Sequence, residues 1–153
     1  MKTIVACLDF SEMTRPVAHV AADLAQATGA HLRLLHALPI VPAPVVAEDM
    51  TLPMWVQDLG RDADLARQRM AELEDELRAR GCPEVDSILS EAADAASIAA
   101  EVDRLHPDLI VIGSHGHGAL HHLLVGSTTQ RVIRHATCPV VVVPLRAVPA
   151  AVE

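Results

Sequence analysis

Apolar residues along the chain alternate between two kinds of run. Short, continuous, β-branched stretches mark buried strands, and longer stretches with apolar positions every three or four residues mark helices. Thr3 to Leu8 (TIVACL) is the first strand, stopping at Asp9 with Ser11 just beyond. In Pro16–Thr28 the residues Val17, Val20, Ala21, Leu24 and Ala25 keep one helical face, Pro16 fits a first turn, and Gly29 closes the helix. His31 to Leu38 (HLRLLHAL) is the second strand.

Residues 39–59 carry Pro39, Pro42, Pro44 and Pro53, with Gly60 next, and predict a long surface loop over the sheet edge rather than a regular element. From Arg61 to Arg80 the positions Ala66, Met70, Leu73 and Leu77 recur at helical spacing. Glu74/Arg78 and Glu76/Arg80 form i,i+4 pairs there, and the charged side predicts a solvated face. Glu84 to Leu89 is a weaker third strand. Asp94 suits a helix cap, with Ala95, Ile98, Val102 and Leu105 facing the core until Pro107. Asp108 to Ile112 (DLIVI) is the fourth strand; Val132, Ile133 and Ala136 mark a last helix, and Val140 to Val143 a last strand.

Strand and helix thus alternate, which implies a single α/β domain with an open, five-stranded parallel sheet and helices on both faces. The domain is expected over residues 1–147, with a short tail over 148–153. Ligands in such sheets bind beyond the carboxyl ends of the strands, where the strand order reverses.

Composition sharpens this picture. The 153 residues are 51% hydrophobic but only 1% aromatic, so the core must be built from Val, Ile, Leu and Ala, as a helix-covered parallel sheet requires. A formal net charge of −8 argues against a nucleic-acid-tracking surface. Cys7, Cys82 and Cys138 form no CxxC pair, so neither a disulfide framework nor a thiolate metal site is indicated, and Cys7 and Cys138 are expected to be packing residues. Met1 and Lys2 run straight into a strand, and no apolar run approaches the roughly 20 residues of a membrane span. The expectation is a soluble, cytoplasmic protein.

The chemistry concentrates in Gly113-Ser114-His115-Gly116, followed after nine intervening residues by Gly126-Ser127. Glycines at the end of a strand let the backbone approach a ligand closely. Gly126 precedes a helix whose free N–H groups, dipole and Ser127, Thr128 and Thr129 hydroxyls make an anion seat. Neither of the two commonest phosphate-loop motifs is present. His115, His117, His121 and His122 lie within eight residues but lack evident acidic or thiolate partners, so solvated loop histidines are expected rather than a metal site.

The pattern G-x2-G-x9-G-[ST], following DLIVIGSHG and preceding CPVVVVP, resembles the ATP-binding branch of the universal stress protein family; Asp9-Phe10-Ser11-Glu12 and LLHAL extend the likeness over essentially the whole chain. The resemblance implies a Rossmann-like sheet of strand order 3-2-1-4-5. It implies ATP or AMP as ligand, with Gly113, His115, Gly116, Gly126, Ser127 and Thr128 around the phosphates and Thr129 nearby. Asp9 would lie by the ribose, or by Mg²⁺ brought with ATP, and Ala37 by the adenine. The alternative for Asp9 is a cap of the first helix. His117 stands where the family often has Lys or Arg, and Ala92 where many members have Gly. A homodimer through Val140, Val141, Val142 and Val143 is also implied. No protein-only metal site and no catalytic residue are assigned; slow ATP hydrolysis is the most this pattern allows, since no base, Walker lysine or arginine finger is evident. A dimeric interaction module that uses the glycine loop only structurally is the rival reading.

Overall fold

The computed structural model describes residues 1–38, 54–92, 94–115 and 125–145, with the backbone alone for 54–60. Five parallel strands, β1 (Thr3–Leu8), β2 (His31–Leu38), β3 (Val85–Glu91), β4 (Leu109–Gly113) and β5 (Val140–Val143), form one sheet in the order β3-β2-β1-β4-β5. Helices α1 (Thr14–Thr28), α2 (Met54–Ala79), α3 (Ala95–Arg104) and α4 (Ser127–His135) connect them. This is the expected Rossmann-like α/β fold with its expected strand order.

Two cores follow from the period-two alternation of the strands. Ile4, Ala6 and Leu8 of β1 pack with Leu32 and Leu34 of β2 against α1 and α2, where Val17, Ala21, Met70 and Leu77 are buried. Val5 and Leu35 face the other way, with Ile110 and Ile112 of β4, and meet Ala99 and Val102 of α3 and Val132 of α4. Small alanines on α1 (Ala18, Ala21, Ala22, Ala25) are all buried, which lets that helix lie close on the sheet. Gly29 ends α1 in the left-handed region at φ 65°, its N–H donating to the Ala25 carbonyl. At the sheet's opening edge the Asp108 carboxylate accepts the N–H groups of Lys2 (2.6 Å) and Thr3 (2.9 Å), pinning the start of β1 beside β4.

Several boundaries differ from the sequence reading. Helix α2 begins at Met54, so 54–59 is helix rather than loop, and Gly60 lies inside the helix instead of before it. A single interior glycine costs a helix only about 1 kcal/mol relative to alanine, too little to stop one of 26 residues. Residues 39–53 of the expected loop, and the expected tail at 148–153, lie outside the described residues. Helix α1 starts two residues before Pro16, and β3 runs to Glu91. Glu74 pairs with Arg78 at 2.6 Å as expected. Glu76 instead turns to α1, accepting a hydrogen bond from His19 (2.7 Å) with Arg15 at 3.5 Å, while Arg80 reaches Asp23 of α1 at 3.6 Å. On α4, Val132 is buried and Ile133 is 46% exposed. No helix among the described residues is long and apolar enough to cross a membrane.

Candidate functional site

Three strands end at one place. β1 leads into Asp9, β2 carries Ala37 near its end, and β4 ends at Gly113, because β4 enters the sheet on the opposite side of β1 from β2. The order reverses there, and a cavity of about 360 Å³ opens between the strand ends. Its wall includes Asp9, Ala37, Gly113 and His115 from the strand ends and Gly126, Ser127, Thr128 and Thr129 from the start of α4. Eight residues singled out in the sequence thus share one cavity. Gly116, the ninth, lies outside the described residues, as do His117, His121 and His122.

Helix α4 opens on this cavity with no side-chain cap among the described residues. Gly126 occupies the cap position in extended conformation and offers no side chain, and no acidic residue stands in the first turn. The first backbone N–H groups therefore point at an anion-attracting end of the helix dipole. Helix α3 differs: Asp94 accepts from Ala96 and Ser97 N–H, and Ser97 returns the bond to the Asp94 N–H. Thr129 is buried and its hydroxyl donates to the Gly113 carbonyl at 2.7 Å, tying α4 to the end of β4, so its side chain acts on the frame of the site.

The Gly113 and Gly126 positions are not equivalent. A Cβ on Gly113 would sit 3.0 Å from the His115 carbonyl oxygen and 3.2 Å from Met13 Cβ, so any side chain there would have to push these neighbours back by a few tenths of an ångström. At Gly126 a Cβ would make ordinary contacts with the described residues, the nearest at 3.6 Å, so these do not demand glycine there.

Asp9 shapes the turn after β1. Its Oδ1 accepts from the Ser11 N–H (3.0 Å) and Ser11 hydroxyl (2.6 Å), and the Ser11 oxygen in turn accepts the Met13 N–H at 3.2 Å. Helix α1 has Met13 at its cap position with no side-chain cap, so Asp9 is not the helix cap considered from sequence. Phe10, inside this turn, is held at φ 59°, a strained value for an aromatic residue and one that clusters at functional turns. Its ring lies 4.1 Å from the His36 ring centre, with the Arg69 guanidinium 5.4 Å above it. His36 Nδ1–H donates to the Leu8 carbonyl at 2.9 Å, which clamps β2 to the last residue of β1.

The rest of the wall is apolar apart from Thr14 and was not foreseen from the motif. Leu8, Met13 and Val17 line one side, and Cys7, Leu35, Ile98 and Ile112 the other. Burial pushes the Cys7 thiol up to about 12, so it stays protonated and behaves as a packing group. Burial raises Cys82 as well; for Cys138 burial acts first and the nearby Asp103 and Asp108 carboxylates add to it. The half-buried Ile98 was legible as an apolar helix position, but nothing local said that α3 would bring it to the cavity. Thr14 also lines the wall, and its hydroxyl oxygen is sealed from solvent with no hydrogen-bond partner among the described residues.

The sequence as a whole matches the Universal stress protein family over residues 1–144. This chain belongs to the universal stress protein family. A universal stress protein encoded in the QAH/OAS sulfhydrylase 3′ region of Thermus aquaticus is 34% identical over 142 residues, covering 93% of this chain and 98% of that one. Among solved universal stress proteins, UspA from Lactobacillus plantarum superposes with a TM-score of 0.80 at 26% identity, over 93% of this chain and 97% of that chain. Two more distant structures share the fold. A universal stress protein from Archaeoglobus fulgidus in complex with dAMP has a TM-score of 0.63 at 22% identity, over 93% of this chain and 96% of the other. A universal stress protein in complex with cAMP has a TM-score of 0.64 at 20% identity, over 94% and 96%.

Proposed function

We propose that this universal stress protein binds an adenine nucleotide, AMP or ATP, in the cavity at the strand ends, and that occupancy regulates what the protein docks with in a stress response. The observation that carries the reading is the N-terminus of α4, without a side-chain cap among the described residues, opening into a cavity of about 360 Å³, a size suited to a small-molecule ligand. Phosphates would take the first-turn N–H groups and the Ser127 and Thr128 hydroxyls, with Gly113, His115 and Gly116 alongside. The base would lie beside Ala37 against Leu35 and Ile98, and Asp9 would accept from a ribose hydroxyl. Family members in complex with dAMP and with cAMP support the adenine class.

Mg²⁺ is proposed only as a companion of ATP. Asp9 is the carboxylate among the described lining residues, and one carboxylate plus phosphate oxygens is the donor set that a hard, octahedral cation accepts. Among the described residues no group of three or more His, Cys, Asp or Glu side chains could hold a metal ion by itself. Bound Mg²⁺ would supply charge neutralisation between Asp9 and the phosphates. No residue is assigned to hydrolysis. A cytoplasmic location belongs to the same proposal and is supported by the three free thiols.

A second reading rests on β5. It is the edge strand of the sheet, and Val140, Val141 and Val142 remain only half-buried, so pairing with a second copy would cover them. We propose a homodimer through this strand, compatible with either the regulatory or the interaction-module role.

The deciding experiment is mass spectrometry of small molecules released from purified protein, followed by calorimetric titration with AMP and Mg-ATP. Adenine nucleotide in the wild type, or saturable binding, with marked loss in Gly116→Val is the expected result. Neither release nor binding at millimolar nucleotide would leave the interaction module as the function.

A further inference from the structure

Ser114 sits one residue beyond β4, is 6% exposed, and does not line the cavity. Its backbone N–H donates to the Val143 carbonyl at 2.8 Å, and its carbonyl accepts the Gly126 N–H at 2.7 Å. The hydroxyl oxygen accepts the Leu145 N–H at 3.1 Å and lies 2.9 Å from His115 Nδ1. One buried residue therefore joins the end of β5, the cap position of α4 and the ring of His115.

The hydrogen-bond inventory at this hydroxyl selects a tautomer. A serine hydroxyl has one proton and two lone pairs, and a backbone N–H can only donate. If His115 Nδ1 carried the ring proton, the Ser114 oxygen would receive two N–H groups and its own O–H would be buried facing no acceptor among the described residues. If Nδ1 is bare, the hydroxyl accepts from Leu145 and donates to Nδ1, so the Ser114 hydroxyl, the Leu145 N–H and Nδ1 are all satisfied. The neutral ring then carries its proton on Nε2.

We propose that Ser114 is a positioning residue that holds neutral His115 as the Nε2–H tautomer, so that the ring serves as a hydrogen-bond donor to anionic oxygens in the cavity. A neutral donor needs no protonation to meet a phosphate. The role in anion binding rests on the nucleotide reading above; the tautomer does not.

The test combines two measurements. Long-range proton–nitrogen NMR of the histidine rings, at a pH where the imidazole is neutral and with His115 identified by His115→Gln, reads the tautomer in ligand-free protein. The wild type is expected to show a bare Nδ1 and a protonated Nε2, Ser114→Ala a mixture, and Ser114→Thr, which keeps the hydroxyl, the wild-type pattern. Calorimetry with AMP is expected to show about 5- to 10-fold weaker binding for Ser114→Ala and restoration in Ser114→Thr, with adenosine, which lacks phosphate, bound alike by all three. A wild-type ring protonated on Nδ1, or a Ser114→Ala ring indistinguishable from wild type, overturns the proposal. If Ser114→Ala does not fold, the wild-type and Ser114→Thr spectra decide it. The Nε2–H tautomer in a wild type that binds neither AMP nor adenosine upholds the Ser114–His115 assignment and overturns the nucleotide reading instead.

Discussion

Thr14 shows what a single atom contributes. Its hydroxyl oxygen is enclosed at the cavity wall and makes no hydrogen bond among the described residues, and a buried, unpartnered hydroxyl costs about 1–3 kcal/mol. Valine has the same shape without that oxygen. Thr14→Val is therefore expected to stabilise the ligand-free protein by about 1 kcal/mol, a rise of about 2–4 °C in Tm for a chain of this length, readable by differential scanning calorimetry. An unchanged or lower Tm would mean that the hydroxyl has a partner in solution. The glycines make the complementary point. A side chain at Gly113 would crowd the His115 carbonyl and Met13, whereas at Gly126 the described residues leave ordinary contact distances, so the two positions tolerate a Cβ differently.

The contrast between α3 and α4 belongs to the element scale. Both helices pack on the same face of the sheet, yet α3 is closed by the reciprocal bonds of Asp94 and Ser97 while α4 is left open toward the cavity. The Ser97 backbone N–H, first among several donors, holds the Asp94 carboxyl below its ordinary range. A depressed folded value means that the charge stabilises the fold above the ordinary aspartate range, and that this contribution fades as pH falls through the folded value. Asn at this position keeps the cap acceptor and lacks the charge. The stability advantage of wild type over Asp94→Asn, measured as the urea midpoint, is expected to be greatest near neutrality and to shrink from about pH 5 downward. A difference independent of pH would show that the charge contributes nothing beyond the hydrogen bonds.

At the scale of the whole molecule, the open question is assembly. The sheet places β5 at one edge and β3 at the other, and the two edges differ in character: VDSILSE carries charge at β3, whereas VVVV at β5 carries none. A flat apolar edge of this kind tends to pair. Sedimentation at tens of micromolar, a range that detects weak association, is expected to show a dimer for the wild type and a monomer for Val141→Lys. A wild-type monomer would remove the dimer from both functional readings. Because Ser114 binds both Val143 and Leu145, the β5 end and the loop at the cavity share a hydrogen-bonded frame.

The sequence by itself determined the elements and the motif. Continuous apolar runs specified buried parallel strands, the i, i+3, i+4 spacing of Ala66, Met70, Leu73 and Leu77 specified one buried face of α2, and the glycine-serine spacing located the turn before α4. Those signals are local, and local periodicity survives in a single chain. Helix α2's start was misjudged because Gly60 was weighed as a breaker, when packing along a long helix outweighs one glycine. Val132 and Ile133 marked a helix in the sequence, but their apolar character said nothing about which side of α4 the sheet covers, and only Val132 is buried. Only the tertiary structure decided that Leu8, Val17, Leu35 and Ile98, from four separate elements, would wall the same cavity as Asp9 and Gly126. It alone decided that Ser114 would join β5 to His115. Such contacts join residues far apart along the chain, so their geometry exists only once the crossovers have brought the strand ends together.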